Sequence, residues 1–162
     1  MVVFESGVLR ALHEGFAREE AEGQLLWTLH RAADHARAVG MRVGIEPSSR
    51  RATDIVKGLG ETAALVERLE RKEVGIVAHI GQMPAEGEAL ERLVQVGRHL
   101  LHVHVAATGS APPGEGRGDF GPLFETLARA NYDSRVSIEC TWEDFAAEAP
   151  KAITYLKGAL ER

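Results

Sequence analysis

Five short apolar runs, separated by stretches of helical periodicity, set the organisation of this chain. β-branched and aliphatic residues cluster at Val2–Glu5, Arg42–Glu46, Val74–Ile80, Leu100–Val105 and Arg135–Cys140. Their length and make-up are those of buried strands. Between them apolar residues recur at helical spacing. Leu25, Leu26, Leu29, Ala32, Ala33 and Ala36 predict a helix over about Arg18–Val39, which Gly40 stops. Similar patterns predict helices over about Thr53–Arg71, Glu86–Gly97, Gly121–Ala130 and Trp142–Leu160. Gly58 and Gly60 interrupt the second of these, so a turn ahead of a helix from Glu61 is its other reading. A strand followed by a helix, repeated with short connections, predicts right-handed crossovers and an α/β fold on a parallel sheet. The glycine- and proline-rich stretch Ala107–Gly118 is the one long irregular segment, and such loops in compact domains are often functional. Residues 1–162 read as one domain.

Composition narrows the class. A chain of 162 residues with 44% hydrophobic content can bury a sizeable core. Its formal net charge of −5 argues against a nucleic-acid backbone or an anionic membrane as main partner. One cysteine, Cys140, excludes an intramolecular disulfide and fits a reducing cytoplasm. The N-terminal run MVVFESGVLR has an early acid and no long apolar core, unlike a signal peptide. No window reaches the roughly 20 apolar residues that a bilayer span needs. A soluble, cytoplasmic protein is expected.

Four of the strands end in a side chain able to ligate a metal: Glu46, His79, His104 and Glu139. In a parallel sheet all strand ends of one sense lie at one edge, so these distant residues can converge. Two carboxylates and two imidazoles suit a divalent ion such as Mn²⁺, Co²⁺ or Zn²⁺. Taken singly, each has a plainer reading: Glu46 as a turn cap before Pro47, His79 as a satisfied core histidine. Glu139 is the sharpest case, because a carboxylate at a buried strand end needs a metal or a cation beside it. His102, two residues before His104, faces the same side and is expected to hydrogen-bond the ligands. Glycines around Arg117 allow a close wrap of a polyol or anion, and Arg117 and Arg50 are candidates to hold an anionic group. Trp142, just past Glu139, is either an apolar wall beside these groups or a packing residue. Cys140 reads as a small buried hydrophobe.

The motifs resemble those of the xylose-isomerase-like TIM-barrel superfamily of sugar isomerases and epimerases and apurinic endonucleases. Gly44-Ile45-Glu46-Pro47-Ser48-Ser49-Arg50 is similar to its Glu-Pro-x-Asn-Arg segment, and His102-Val103-His104-Val105 to its His-x-His strand. Pro113 through Phe120 resembles its Gly-x-Gly…Asp-Phe loop, and Val136-Ser137-Ile138-Glu139 its closing strand. The resemblance implies a parallel β/α barrel of TIM type, incomplete here with about five βα units. It implies metal ligation by Glu46, His79, His104 and Glu139, and a metal-dependent isomerase or epimerase of carbohydrate metabolism. Glu46 and Glu139 would act as base and acid on a sugar or sugar derivative, through an enediolate.

Two departures weigh against activity. The family's Asp-x-x-His is here His79-Ile80-Gly81-Gln82, so a histidine stands for the ligand aspartate and Gln82 for a substrate-contacting histidine. Gln82 can bond a hydroxyl but cannot transfer a proton. A complete barrel needs about 250 residues. Five strands leave two open edges, and Val43, Ile45, Val77, Val103 and Ile138 are expected to form an uncovered inward apolar layer. A homodimer, a second chain completing the barrel, or a truncation would each account for this. The alternative function is a non-catalytic half-barrel, a binding or assembly subunit with a degenerate metal site.

Overall fold

The computed structural model describes residues 1–5, 11–49, 53–115 and 118–161. Five parallel strands form one sheet in the sequential order β1-β2-β3-β4-β5: Val2–Phe4, Val43–Ile45, Val74–His79, Leu100–Val105 and Val136–Ile138. Helices α1 (Arg18–Ala38), α2 (Gly58–Leu69), α3 (Glu91–Val96), α4 (Gly121–Arg129) and α5 (Phe145–Leu160) alternate with them. This is the expected α/β architecture of five βα units. No described helix is long and apolar enough to cross a membrane. Two compact units make up the chain: Met1–Ala78 with His99–Leu101, and His79–Arg98 with His102–Arg162.

In the first unit β1 pairs with β2 (Val2↔Val43, Val3↔Gly44, Phe4↔Ile45) and β2 with β3 (Val43↔Val74, Gly44↔Gly75, Ile45↔Ile76). Paired residues of parallel strands share a face, and neighbours along a strand alternate. Val43, Ile45, Val74 and Ile76 therefore lie on one face, all buried, and α1 packs on β2 and α2. The other face carries Gly44, whose absent Cβ leaves room for Val77 Cγ2, 2.5 Å from where that atom would stand. α2 begins at Gly58, later than Thr53. Thr53 closes a turn onto Ile55, whose carbonyl accepts its hydroxyl at 2.8 Å, and Glu61 takes the N–H of Lys57 at 3.1 Å as a cap.

In the second unit β4 pairs with β5 in the register Val103↔Val136, His104↔Ser137, Val105↔Ile138. Val103 and Val105 are fully buried, and α4 packs between α3 and α5. The stretch predicted as one helix over Glu86–Gly97 is broken. A 3₁₀ turn at Met83–Glu86 ends at Gly87 with φ 72°, and α3 starts only at Glu91. A left-handed residue cannot continue a helix, and glycine takes that conformation without strain.

The registers correct one expectation. Val43, Ile45, Val103 and Ile138 do not line the face of the strand-end acids and histidines. The pleat places them on the opposite face, with Val43, Ile45 and Val103 buried. Val77, an even number of residues before His79, stays on the same face as His79 and is also buried.

A polar clasp ties α1 to the approach to β3. Arg71 Nη2 donates to Asp34 at 2.7 Å and its Nε to Glu73 at 3.4 Å. The hydrogen bond from Arg71 holds Asp34 below the usual carboxylate range. Glu73 is lowered first by a backbone N–H and then by Arg71. A depressed carboxyl contributes stability that is full above its unfolded value and is lost as pH falls through its folded one. Arg71→Met is therefore expected to flatten the loss of stability between about pH 5 and pH 3. Urea unfolding across that range checks this, and an unchanged slope would show that other acids govern it.

Candidate metal centre

Glu46 follows β2 directly. Its N–H donates to the Phe4 carbonyl at 3.1 Å, the last rung of the β1–β2 ladder, and Pro47 then ends regular pairing. Ser48 forms a parallel bridge with Lys57, so the chain beyond the carboxylate is held in place. Alternation puts Glu46 on the Gly44 face, and only 2% of it is exposed. A carboxylate so buried requires compensation by charge or hydrogen bonds.

His79 is the last residue of β3 and 7% exposed, and its Nδ1 is buried with no hydrogen-bond partner among the described residues. Gly81 permits its placement: a Cβ there would stand 3.2 Å from His79 Cε1 and from Ala106. His104 lies on β4 with its Nδ1 against the Glu139 carboxylate. The His79 and His104 rings meet edge to face at 6.1 Å, and those of His102 and His104 at 5.0 Å. Glu139 is fixed by its N–H, which donates to the Val105 carbonyl at 3.0 Å. Its side chain is 55% exposed, against 12% for His104.

Within the second unit the His79 and His104 rings and the Glu139 carboxylate lie together, while Glu46 follows β2 in the first unit. The donor set fits a borderline divalent ion: imidazole nitrogen and carboxylate oxygen are its usual partners. The orphaned buried Nδ1 of His79 supports the fit, since such an atom is costly without a hydrogen bond or a metal.

The remaining expected residues fare differently. His102 Nε2 shares a 2.8 Å hydrogen bond with Ser137 Oγ, and its ring meets that of His104 edge to face. Gln82 is exposed, and its backbone N–H donates to the His79 carbonyl at 3.1 Å. Trp142 stacks edge to face on Phe145 at 5.4 Å and lines a groove of about 680 Å³ with Ile138, Ile153 and Leu156. Arg50 and Arg117 lie outside the described residues. Sequence reasoning missed Ser137, although its place two residues before Glu139 assigns it to the same face. Burial pushes the Cys140 thiol up, with Glu148 and Glu115 adding to the effect, so it is not an activated nucleophile.

The chain belongs to the xylose isomerase-like TIM barrel family, whose model matches residues 1–159. It is 31% identical over 105 residues to a 3-dehydro-D-guloside 4-epimerase of Escherichia coli K12, covering 64% of this chain and 40% of that protein. It is 28% identical over 110 residues to a ketose 3-epimerase of Arthrobacter globiformis, covering 67% and 38%. The crystal structure of 3-keto-D-glucoside 4-epimerase from Escherichia coli superposes with a TM-score of 0.83 at 25% identity. That match covers 90% of this chain and 57% of the other. The chain thus spans about two fifths of the length of these curated relatives.

Excess Zn²⁺ or Mn²⁺ is expected to raise the thermal midpoint, because an ion held only by the folded state stabilises it by mass action. The rise should nearly vanish in His79→Ala and in Glu139→Gln. An equal rise in both variants would place the ion elsewhere.

Proposed function

We propose that this chain takes part in metal-dependent epimerisation or isomerisation of a sugar or sugar derivative. The grouping of His79, His104 and Glu139 in the second unit, with the orphaned buried Nδ1 of His79, carries the reading. The names of the matched relatives, both sugar epimerases, support it. Glu46, His79, His104 and Glu139 would hold a divalent ion, Mn, Co or Zn. When bound, such an ion polarises a carbonyl and acidifies the C–H beside it. The two carboxylates then have distinct tasks. One takes the C–H proton from one side of the carbon, and the other returns a proton from the opposite side, by way of an enediolate. His102, tied to Ser137, keeps the His104 ring oriented. Gln82 offers a hydroxyl partner and no proton, so proton transfer rests on Glu46 and Glu139. Arg50 and Arg117 complete the reading as contacts for substrate oxygens.

The test is exchange of substrate C–H with solvent deuterium across a ketose panel, with metal present. Exchange is expected in the wild type and should fall at least a hundredfold in Glu46→Gln and Glu139→Gln, in line with roughly 10²–10⁴-fold for removal of a positioned acid or base. Metal retained with no exchange on any ketose would favour the non-catalytic binding or assembly role.

The reading includes a partner. β1 and β5 end the strand order. Val2 and Val3 are exposed at one end, and Phe145, Ile153 and Leu160 beside the other. A second copy of this chain is the simplest cover, because one chain carries both open ends and most soluble assemblies are two-fold. Light scattering at low micromolar concentration is expected to give twice 17.6 kDa. A mass of one chain with cooperative unfolding would overturn this.

A further inference from the structure

The mechanism above leaves one strand-end carboxylate unused. Glu5 follows β1 as Glu46 follows β2. The register Val3↔Gly44, carried forward by the Glu46 N–H bond to Phe4, sets Glu5 beside Glu46 at the same level. Alternation places Met1, Val3 and Glu5 on the face of Gly44 and Glu46. Met1 Sδ confirms the parity, lying 3.3 Å from where a Gly44 Cβ would stand. Neighbouring strands are about 4.8 Å apart, so the two carboxylates border one surface.

Their surroundings differ. Glu46 is 2% exposed, whereas Glu5 is open to solvent. One Glu5 oxygen accepts the Ser48 hydroxyl at 3.0 Å. Ser48 is itself 4% exposed and pinned by its bridge to Lys57. The hydroxyl comes from a fixed backbone and gives the Glu5 side chain a set direction. Glu5 is thus a preoriented acceptor at the open border of a buried acid. It suits a ligand rich in hydroxyl donors, because carboxylate–hydroxyl bonds are charge-assisted and directional.

We propose that Glu5 is a specificity-determining residue that accepts a hydroxyl of a polyhydroxylated substrate on the β1 side of Glu46. The proposal rests on the sugar reading given above and adds the residue that selects for a hydroxyl at that place. Ser48 acts through Glu5 as its positioning residue.

The test measures binding by calorimetry in the metal-loaded protein, using D-fructose, D-tagatose and the monodeoxy derivatives of whichever binds better. In the wild type, loss of one particular hydroxyl is expected to weaken binding about ten- to a hundredfold, the range for a hydrogen bond to a charged group. In Glu5→Ala the parent ketose should weaken by a similar factor and the discrimination at that hydroxyl should collapse, with metal content unchanged. Ser48→Ala should shift binding the same way by less. Where deuterium exchange is present, Glu5→Ala should raise KM more than it lowers kcat. Wild-type discrimination in Glu5→Ala, loss of metal from it, or no ketose bound by the wild type would each overturn the proposal. Binding that depends on Glu5 without any deuterium exchange would sink the epimerase reading and leave this one standing.

Discussion

The two-residue pleat, carried in register from strand to strand, is the constraint on which the rest depends. Backbone hydrogen bonds set which residues lie side by side, and alternation then assigns each to one face. In the first unit this puts Gly44 and Glu46 on one side and Val43 and Ile45 on the other. In the second it separates His102, His104 and Ser137 from Val103, Val105 and Val136. The helix-facing residues can then be uniformly apolar. The opposite face keeps glycines low on the strands and acids and histidines at their ends. A slip of one residue in any strand would exchange the two sets and bury the carboxylates among helices.

Much of this was legible in the sequence, because local chemistry coincides with the final structure. All five strands and four of the five helices lie close to their predicted places. β-branched runs and helical spacing speak directly about burial, and burial is what a parallel sheet demands on both faces. The failures have physical causes. Gly87 looks like one more polar position in an amphipathic pattern, yet its left-handed backbone cuts the helix predicted through it. Counting strand residues without parity assigns the apolar layer to the wrong side. Ile45 would serve as a core residue on either face, so its identity alone carries no warning; its separation of one residue from Glu46 does.

The site was legible as a set of residue types and less so as an environment. Glu46 and His79 are buried, while Glu139 is half open. Two carboxylates with equal sequence credentials thus meet different dielectrics, and such differences separate the roles of paired acids. His79 stands where the family pattern has an aspartate. A histidine there keeps a donor atom and carries one negative charge fewer than an aspartate. A neutral imidazole also binds through one nitrogen and needs its ring aimed, which the space left at Gly81 permits.

The two strands that end the order face different problems. β1 exposes Val2 and Val3, a strand of three residues with one neighbouring strand among the described residues. β5 is equally short, and its Val136 and Ile138 remain partly exposed beside the groove lined by Trp142, Phe145 and Ile153. Short strands limit the hydrogen-bonding groups left unsatisfied, which blunts the tendency to pair with other chains. They do not remove the apolar area, which soluble proteins rarely leave contiguous. Glu139 belongs to this same border: its side chain is 55% exposed beside β5, the last strand of the order among the described residues. A group packed on the β5 edge would also lower the dielectric around Glu139. The exposure of that edge and the environment of this carboxylate are thus coupled through one strand.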